Sequence, residues 1–144
     1  MAPLIRIREF RFPTDYEQVY RLWEAMEKGV RVSRSDSLDE IEKKIARDPE
    51  LFLVAESNGM IIGSVIGGFD GRRGMVYHLA VASEFRGMGI GSRLMDELES
   101  RLRSKGCLKC YLLVTHDNSE AEAYYQHRDW KRMDDLYIYG KELG

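Results

Sequence analysis

From the N-terminus the chain alternates apolar Ile5 and Ile7 with Arg6 and Arg8, the period-two pattern of a strand over residues 4–11. Pro13 and Thr14 end it. Thr14-Asp15-Tyr16-Glu17 has the form of a capping box, and Tyr16, Val19, Tyr20, Trp23 and Met26 then fall on one helical face. Gly29 stops that helix, and a polar loop covers residues 31–36. Ser37-Leu38-Asp39-Glu40 repeats the capping pattern. Leu38, Ile41 and Ile45 predict a short second helix, closed by Asp48-Pro49.

Residues 51–55 and 60–67 are apolar runs joined at Asn58-Gly59, the strongest short hairpin signal. A glycine-rich turn at 67–71 leads to a strand over 75–81. A glycine-rich loop follows, then a helix over about 89–105 on which Ile90, Leu94, Leu98 and Leu102 recur every fourth position, with Gly106 as its C-terminal cap. Residues 108–115 read as a strand and 119–127 as a short helix. Residues 130–133 and 136–141 read as a closing hairpin across Asp134-Asp135. The order β-α-α-β-β-β-α-β-α-β-β predicts an α/β (α+β) fold. It is one mixed, mostly antiparallel sheet of six to seven strands with helices on both faces, a single domain spanning 1–144.

Composition narrows the function classes without choosing among enzymes. The 144 residues are 44% hydrophobic and 32% charged, as in ordinary globular proteins. Lys plus Arg is 22 against 24 Asp plus Glu, so a net charge of −2 offers nucleic acid no electrostatic footprint. The N-terminus lacks the apolar stretch of a signal peptide, and no apolar run approaches membrane-spanning length. A soluble, cytoplasmic protein is expected, with no membrane partner. Cys107 and Cys110 form a lone C-x-x-C. In a strand, residues three apart point to opposite faces, so the thiols are expected to diverge, as packing cysteines without metal.

The chemistry concentrates in Arg86-Gly87-Met88-Gly89-Ile90-Gly91-Ser92, between a strand and a long helix. Backbone N–H groups converging on a helix N-terminus attract an anion, and glycine lets a pyrophosphate approach closely. A tight turn with no ligand fits the glycine spacing equally. A P-loop is excluded because no Lys-Ser/Thr follows these glycines. The dinucleotide fingerprint fails too, since Ser92 stands where its third glycine belongs.

Arg86-x-x-Gly89-x-Gly91 matches the [QR]-x-x-G-x-[GA] signature of the GNAT superfamily of acyl-CoA N-acyltransferases, which the chain resembles. The preceding residues 79–87 look like that family's strand and loop. Downstream, Asn118, Tyr124-Tyr125 and Trp130 resemble its N…(F/Y)-Y-x-x-x-G-[FYW] segment, except that Arg128-Asp129 replaces the usual Leu-Gly. Within the superfamily, residues 51–56 and 67–71 are similar to small bacterial acetyltransferases of the YpeA type.

The resemblance implies direct transfer of an acetyl group from acetyl-CoA, the co-substrate, to a primary amine through a tetrahedral intermediate, without metal. It implies that the backbone of Leu79, Ala80 and Val81 pairs with the pantetheine arm like an added strand and offers an N–H to the oxyanion. It further implies that amides from Gly87 through Met88, Gly89, Ile90 and Gly91 to Ser92 hold the pyrophosphate, that Asn118 contacts or orients the pantetheine, and that Tyr125 protonates the departing thiolate. Tyr124 is then a core residue.

Many relatives carry a Glu or His base on the strand before the loop. Counting back by twos from Val81, the cleft-facing residues here are Leu79, Tyr77 and Met75, none of them a base at neutral pH. The same count puts His78 on the opposite face, as a helix-facing histidine. Asp70, an ordered water chain or the free-base fraction of the amine remain as routes for the amine's proton. A small-molecule amine is the expected acceptor. A protein or peptide N-terminus and a non-catalytic acyl-CoA-binding domain are the alternatives. Arg31, Arg34, Arg72 and Arg73 are expected to be solvated, and monomer and homodimer both stay open.

Overall fold

The computed structural model describes residues 3–144. The elements run β1 (Arg6–Glu9), α1 (Tyr16–Glu24), α2 (Leu38–Arg47), β2 (Phe52–Ser57), β3 (Met60–Phe69), β4 (Gly74–Val81), α3 (Ile90–Ser104), β5 (Cys110–Leu112) and α4 (Ser119–His127). Single 3-10 turns at Arg34–Asp36, Pro49–Leu51 and Ser83–Phe85 precede α2, β2 and the glycine-rich loop. The chain forms two compact units, the first ending at Leu113 and the second covering Val114–Gly144.

In the first unit one mixed sheet has the order β1-β2-β3-β4-β5, antiparallel up to β4, with β5 parallel to β4. Asn58 and Gly59 both take positive φ, 51° and 78°, as a two-residue hairpin turn requires. Alternation along β3 separates the helices. A Cβ on Gly63 or Gly67 would lie 3.2 Å or 2.5 Å from Leu94 or Leu98, so α3 packs closely on that face because side chains are missing there. On the other face, Ser64 accepts a hydrogen bond from the Trp23 indole of α1 at 2.9 Å. The core on that face joins Phe10, Val19, Trp23 and Ile41 to Phe52, Val54 and Ile66.

The caps divide. Ser37 caps α2, its hydroxyl accepting from the Glu40 amide at 3.3 Å. The box at Thr14 does not form. Asp15 is the N-cap residue without a side-chain cap, because its carboxylate takes a bidentate pair from Arg8 at 2.6 and 3.1 Å and the Arg11 amide at 2.8 Å.

Cys107 and Cys110 do not diverge. Cys107 precedes β5, so strand alternation does not apply to it, and a Cβ on Gly74 would meet Cys107 Sγ at 3.0 Å and Cys110 Cβ at 3.1 Å. Both thiols are free, and burial, then the neighbouring thiol, pushes Cys110 up to about 11.

In the second unit Asn118 caps α4, its side-chain oxygen accepting from the Ala121 amide at 3.2 Å. The expected closing hairpin is absent, so the sheet has five strands among the described residues and not six to seven. Leu136, Tyr137, Ile138 and Tyr139 are all exposed. These four are a continuous apolar run without alternation, so no single face directs them to one side of a ladder, and an isolated two-stranded ribbon is marginal in water.

Candidate active site

Beyond Val76, β4 leaves its parallel partner. Pairing with β5 covers only Gly74–Cys110, Met75–Tyr111 and Val76–Leu112, whereas β3 continues to pair β4 up to Gly63–Val81. Leu79, Ala80 and Val81 therefore have β3 on one side and no described strand on the other. An edge of this kind presents N–H and C=O groups to an extended ligand.

The same stretch contains a bulge. Ile66 pairs with Tyr77 and Ser64 with Ala80, so Val65 stands opposite both His78 and Leu79. His78 takes a φ of 52°, a left-handed conformation that costs a non-glycine residue about 1–2 kcal/mol. The bulge overturns the alternation expected for this strand. Residues directly opposite in a ladder share a face. Val81, opposite Gly63, thus faces α3, while Tyr77 and Met75, opposite Ile66 and Gly68, face α1 and α2.

His78 lies on the same face as Tyr77. Its ring meets Trp23 edge-on at 4.8 Å, and its Nε2 is 2.9 Å from Asp36 Oδ1. The expected position on the face opposite Tyr77 is thereby overturned, because the bulge brings His78 round to the face of Tyr77, against Trp23 and Asp36. Asp36 is buried, although it belongs to the polar stretch of residues 31–36. The overlooked signal is Ser33-x-x-Asp36, which forms a capping box in which the Ser33 amide donates to Asp36 Oδ2 at 3.0 Å.

The glycine-rich loop follows directly. Gly87 and Gly89 adopt φ of 81° and 76°, and a Cβ on either would meet open space. Gly89 is the N-cap of α3 and supplies no side-chain cap. Arg86 and Met88 are exposed beside them, and Ile90 is buried under the loop. Gly91 and Ser92 belong to the first turn of α3 and are half-buried. Open space above left-handed glycines at a helix N-terminus suits a pyrophosphate.

In the second unit, Tyr125 packs at 5.2 Å from Tyr124 and 5.8 Å from Trp130. Burial, and secondarily Tyr124, push its phenol up to about 12. Asp70 is a poor base: its Oδ1 accepts from the Arg73 and Arg72 amides, both at 2.8 Å, which holds it below the usual carboxylate range. His116, His127, Arg31, Arg34 and Arg72 are exposed and Arg73 half-buried. Among the described residues, no three His, Cys, Asp or Glu side chains are grouped to hold a metal. No helix among them is long and apolar enough to cross a membrane.

The edge of β4, parted from β5 beyond Val76, thus runs into a glycine turn at the N-terminus of α3. The pattern of the acetyltransferase (GNAT) family matches residues 16–130, and the chain belongs to that family. It is 42% identical over 139 residues to an acetyltransferase of Pectobacterium atrosepticum, covering 96% of each chain. It is 41% identical over 139 residues to one of Yersinia enterocolitica, again covering 96% of each. Among solved structures it is similar to Ard1 of Thermoplasma volcanium, at 31% identity and TM-score 0.75 over 86% of this chain and 80% of that one. The PaiA N-acetyltransferase of Thermoplasma acidophilum, in complex with coenzyme A, shares the fold at 23% identity and TM-score 0.79 over 94% of each chain. The chain is an acetyl-CoA-dependent acyltransferase.

Proposed function

We propose that this enzyme moves the acetyl group of acetyl-CoA to the primary amine of a small molecule, by direct transfer. The observation that carries the acetyl-CoA half is the free edge of β4 running into the uncapped glycine turn. The backbone of Leu79, Ala80 and Val81 aligns the pantetheine arm and offers an N–H to the thioester oxygen, where negative charge develops during transfer. The amides of Gly87 to Ser92 hold the pyrophosphate, with Arg86 as an adjacent cation. Asn118 orients the arm, and Tyr125 supplies a proton to the departing thiolate. A phenol held near 12 is fully protonated at neutral pH, as that role requires.

A small acceptor is favoured by the connection between α1 and α2. A peptide groove beside residues 31–36 needs this segment to stand away from β4, whereas Asp36 is bonded to His78 and its carbonyl accepts from the Tyr16 hydroxyl at 2.7 Å. The test is turnover with acetyl-CoA against a panel of polyamines, aminoalcohols and amino sugars, beside peptides bearing free N-termini, read by intact mass. Acetylation of the small amines alone is expected. Acetylation confined to peptide N-termini overturns the acceptor assignment.

A further inference from the structure

We infer that Asp36 and His78 are positioning residues for acyl transfer, a strut that sets the bulge of β4 and so aims its free amide at the thioester oxygen. The inference rests on the reading that this strand holds the acyl group. Glycine would adopt a φ of 52° without strain, yet a histidine occupies the position. A strained conformation of this kind persists only where the surroundings over-determine it.

Those surroundings hold His78 at three points. The ring Nε2–H donates to Asp36 Oδ1 at 2.9 Å, and the ring edge packs on Trp23. The carbonyl accepts from the Ser64 hydroxyl at 3.3 Å, and that oxygen in turn accepts from the Trp23 indole. Asp36 is itself fixed. Its second carboxylate oxygen takes the Ser33 amide, its carbonyl takes the Tyr16 hydroxyl, and it is 5% exposed.

The position of the strut matters as much as its rigidity. His78 comes two residues after Val76, the last residue of β4 paired with β5. The bulge therefore sits where the free edge begins, and it sets the rotation of the peptide groups from His78 to Ala80 about the strand axis. Without the strut, the segment can relax toward ordinary β geometry, which swings the N–H away from the oxygen. A misplacement of about 1 Å costs on the order of 100-fold in rate, so the strut acts on chemistry rather than on affinity.

The experiment uses the full chain and needs no acceptor. The carbonyl carbon of [1-13C]acetyl-CoA moves downfield in NMR when its oxygen accepts a hydrogen bond, and binding affinity is measured in parallel by calorimetry. Wild type is expected to show the downfield displacement. His78→Ala removes the ring that bonds Asp36 and packs on Trp23, and leaves a residue for which the left-handed angle is still strained. It is expected to lose most of the displacement while acetyl-CoA affinity stays close to wild type. Asp36→Asn offers one acceptor oxygen where Asp36 uses two, and is expected to show the same loss. The double variant is expected to lose no more than either single one, because the two residues act as one unit. Full displacement in folded His78→Ala overturns the strut. No displacement in wild type with acetyl-CoA bound overturns instead the reading of β4 as the carbonyl's donor.

Discussion

The indole N–H of Trp23 donates to the hydroxyl of Ser64 at 2.9 Å, with both side chains buried beneath the strand bulge. A lone hydroxyl among apolar neighbours is costly unless it is bonded, and here it serves as acceptor for one element and donor to another. Ser64→Ala removes both bonds and leaves the Trp23 N–H buried without its acceptor. A loss of about 1–3 kcal/mol in unfolding free energy is expected by urea titration. Trp23→Phe in the Ser64→Ala background removes the orphaned donor and should add less than it costs in wild type. Additive losses would show that the pair is not coupled.

Arg8 and Asp15 make acid stability pH-dependent in a definite direction. Burial alone raises the Asp15 carboxyl, but hydrogen bonds from Arg8 and the Arg11 amide carry it below its ordinary value. A carboxyl lowered in the folded state contributes stability above its unfolded value of about 4, and that stability is lost as pH falls through the folded value. Melting temperatures from pH 7 downward should therefore fall below about pH 4 in wild type. Asp15→Asn should start lower at pH 7 and fall less steeply on acidification. Parallel curves for the two proteins would remove Asp15 from the acid transition.

Gly89→Val tests the proposed pyrophosphate site against a matched control. Gly89 and Gly106, at opposite ends of α3, both take left-handed φ, 76° and 89°, with open space where a Cβ would stand. Valine at either position costs the fold a comparable amount, about 1–2 kcal/mol. Calorimetric binding of acetyl-CoA should be severely weakened in Gly89→Val and preserved in Gly106→Val. Equal affinities in the two variants would move the pyrophosphate elsewhere.

Tyr125→Phe keeps the ring that packs on Tyr124 and Trp130 and deletes the hydroxyl proposed as proton donor. Turnover is expected to fall by roughly 10- to 1,000-fold with little change in acetyl-CoA affinity. A phenol at about 12 gives up its proton only in strong base, so the wild-type rate should show no loss attributable to Tyr125 up to about pH 10. In an ultraviolet titration the variant should lack the phenol that ionises near 12. Unchanged turnover where chemistry limits the rate would remove Tyr125 from the mechanism.

The order of elements up to α4 was determined by local sequence. Asn58-Gly59 specifies its turn through backbone angles that those two residues tolerate, Ser37 caps α2 from three residues away, and Leu94 and Leu98 mark the buried face of α3 by period alone. The glycine turn was legible for the same reason, since a positive φ is a property of the residue that adopts it. What depended on a distant partner was not. The bulge at His78 is a mismatch in count between β3 and β4, invisible to alternation read along one strand. Asp36 meets His78 across 42 residues, and Asp15 leaves its cap for Arg8 on another element. The tail from Leu136 to Tyr139 has strand-forming residues but no ladder. Periodicity and turn chemistry act within a few residues, whereas register, charge pairing and strand closure are settled only when the elements pack.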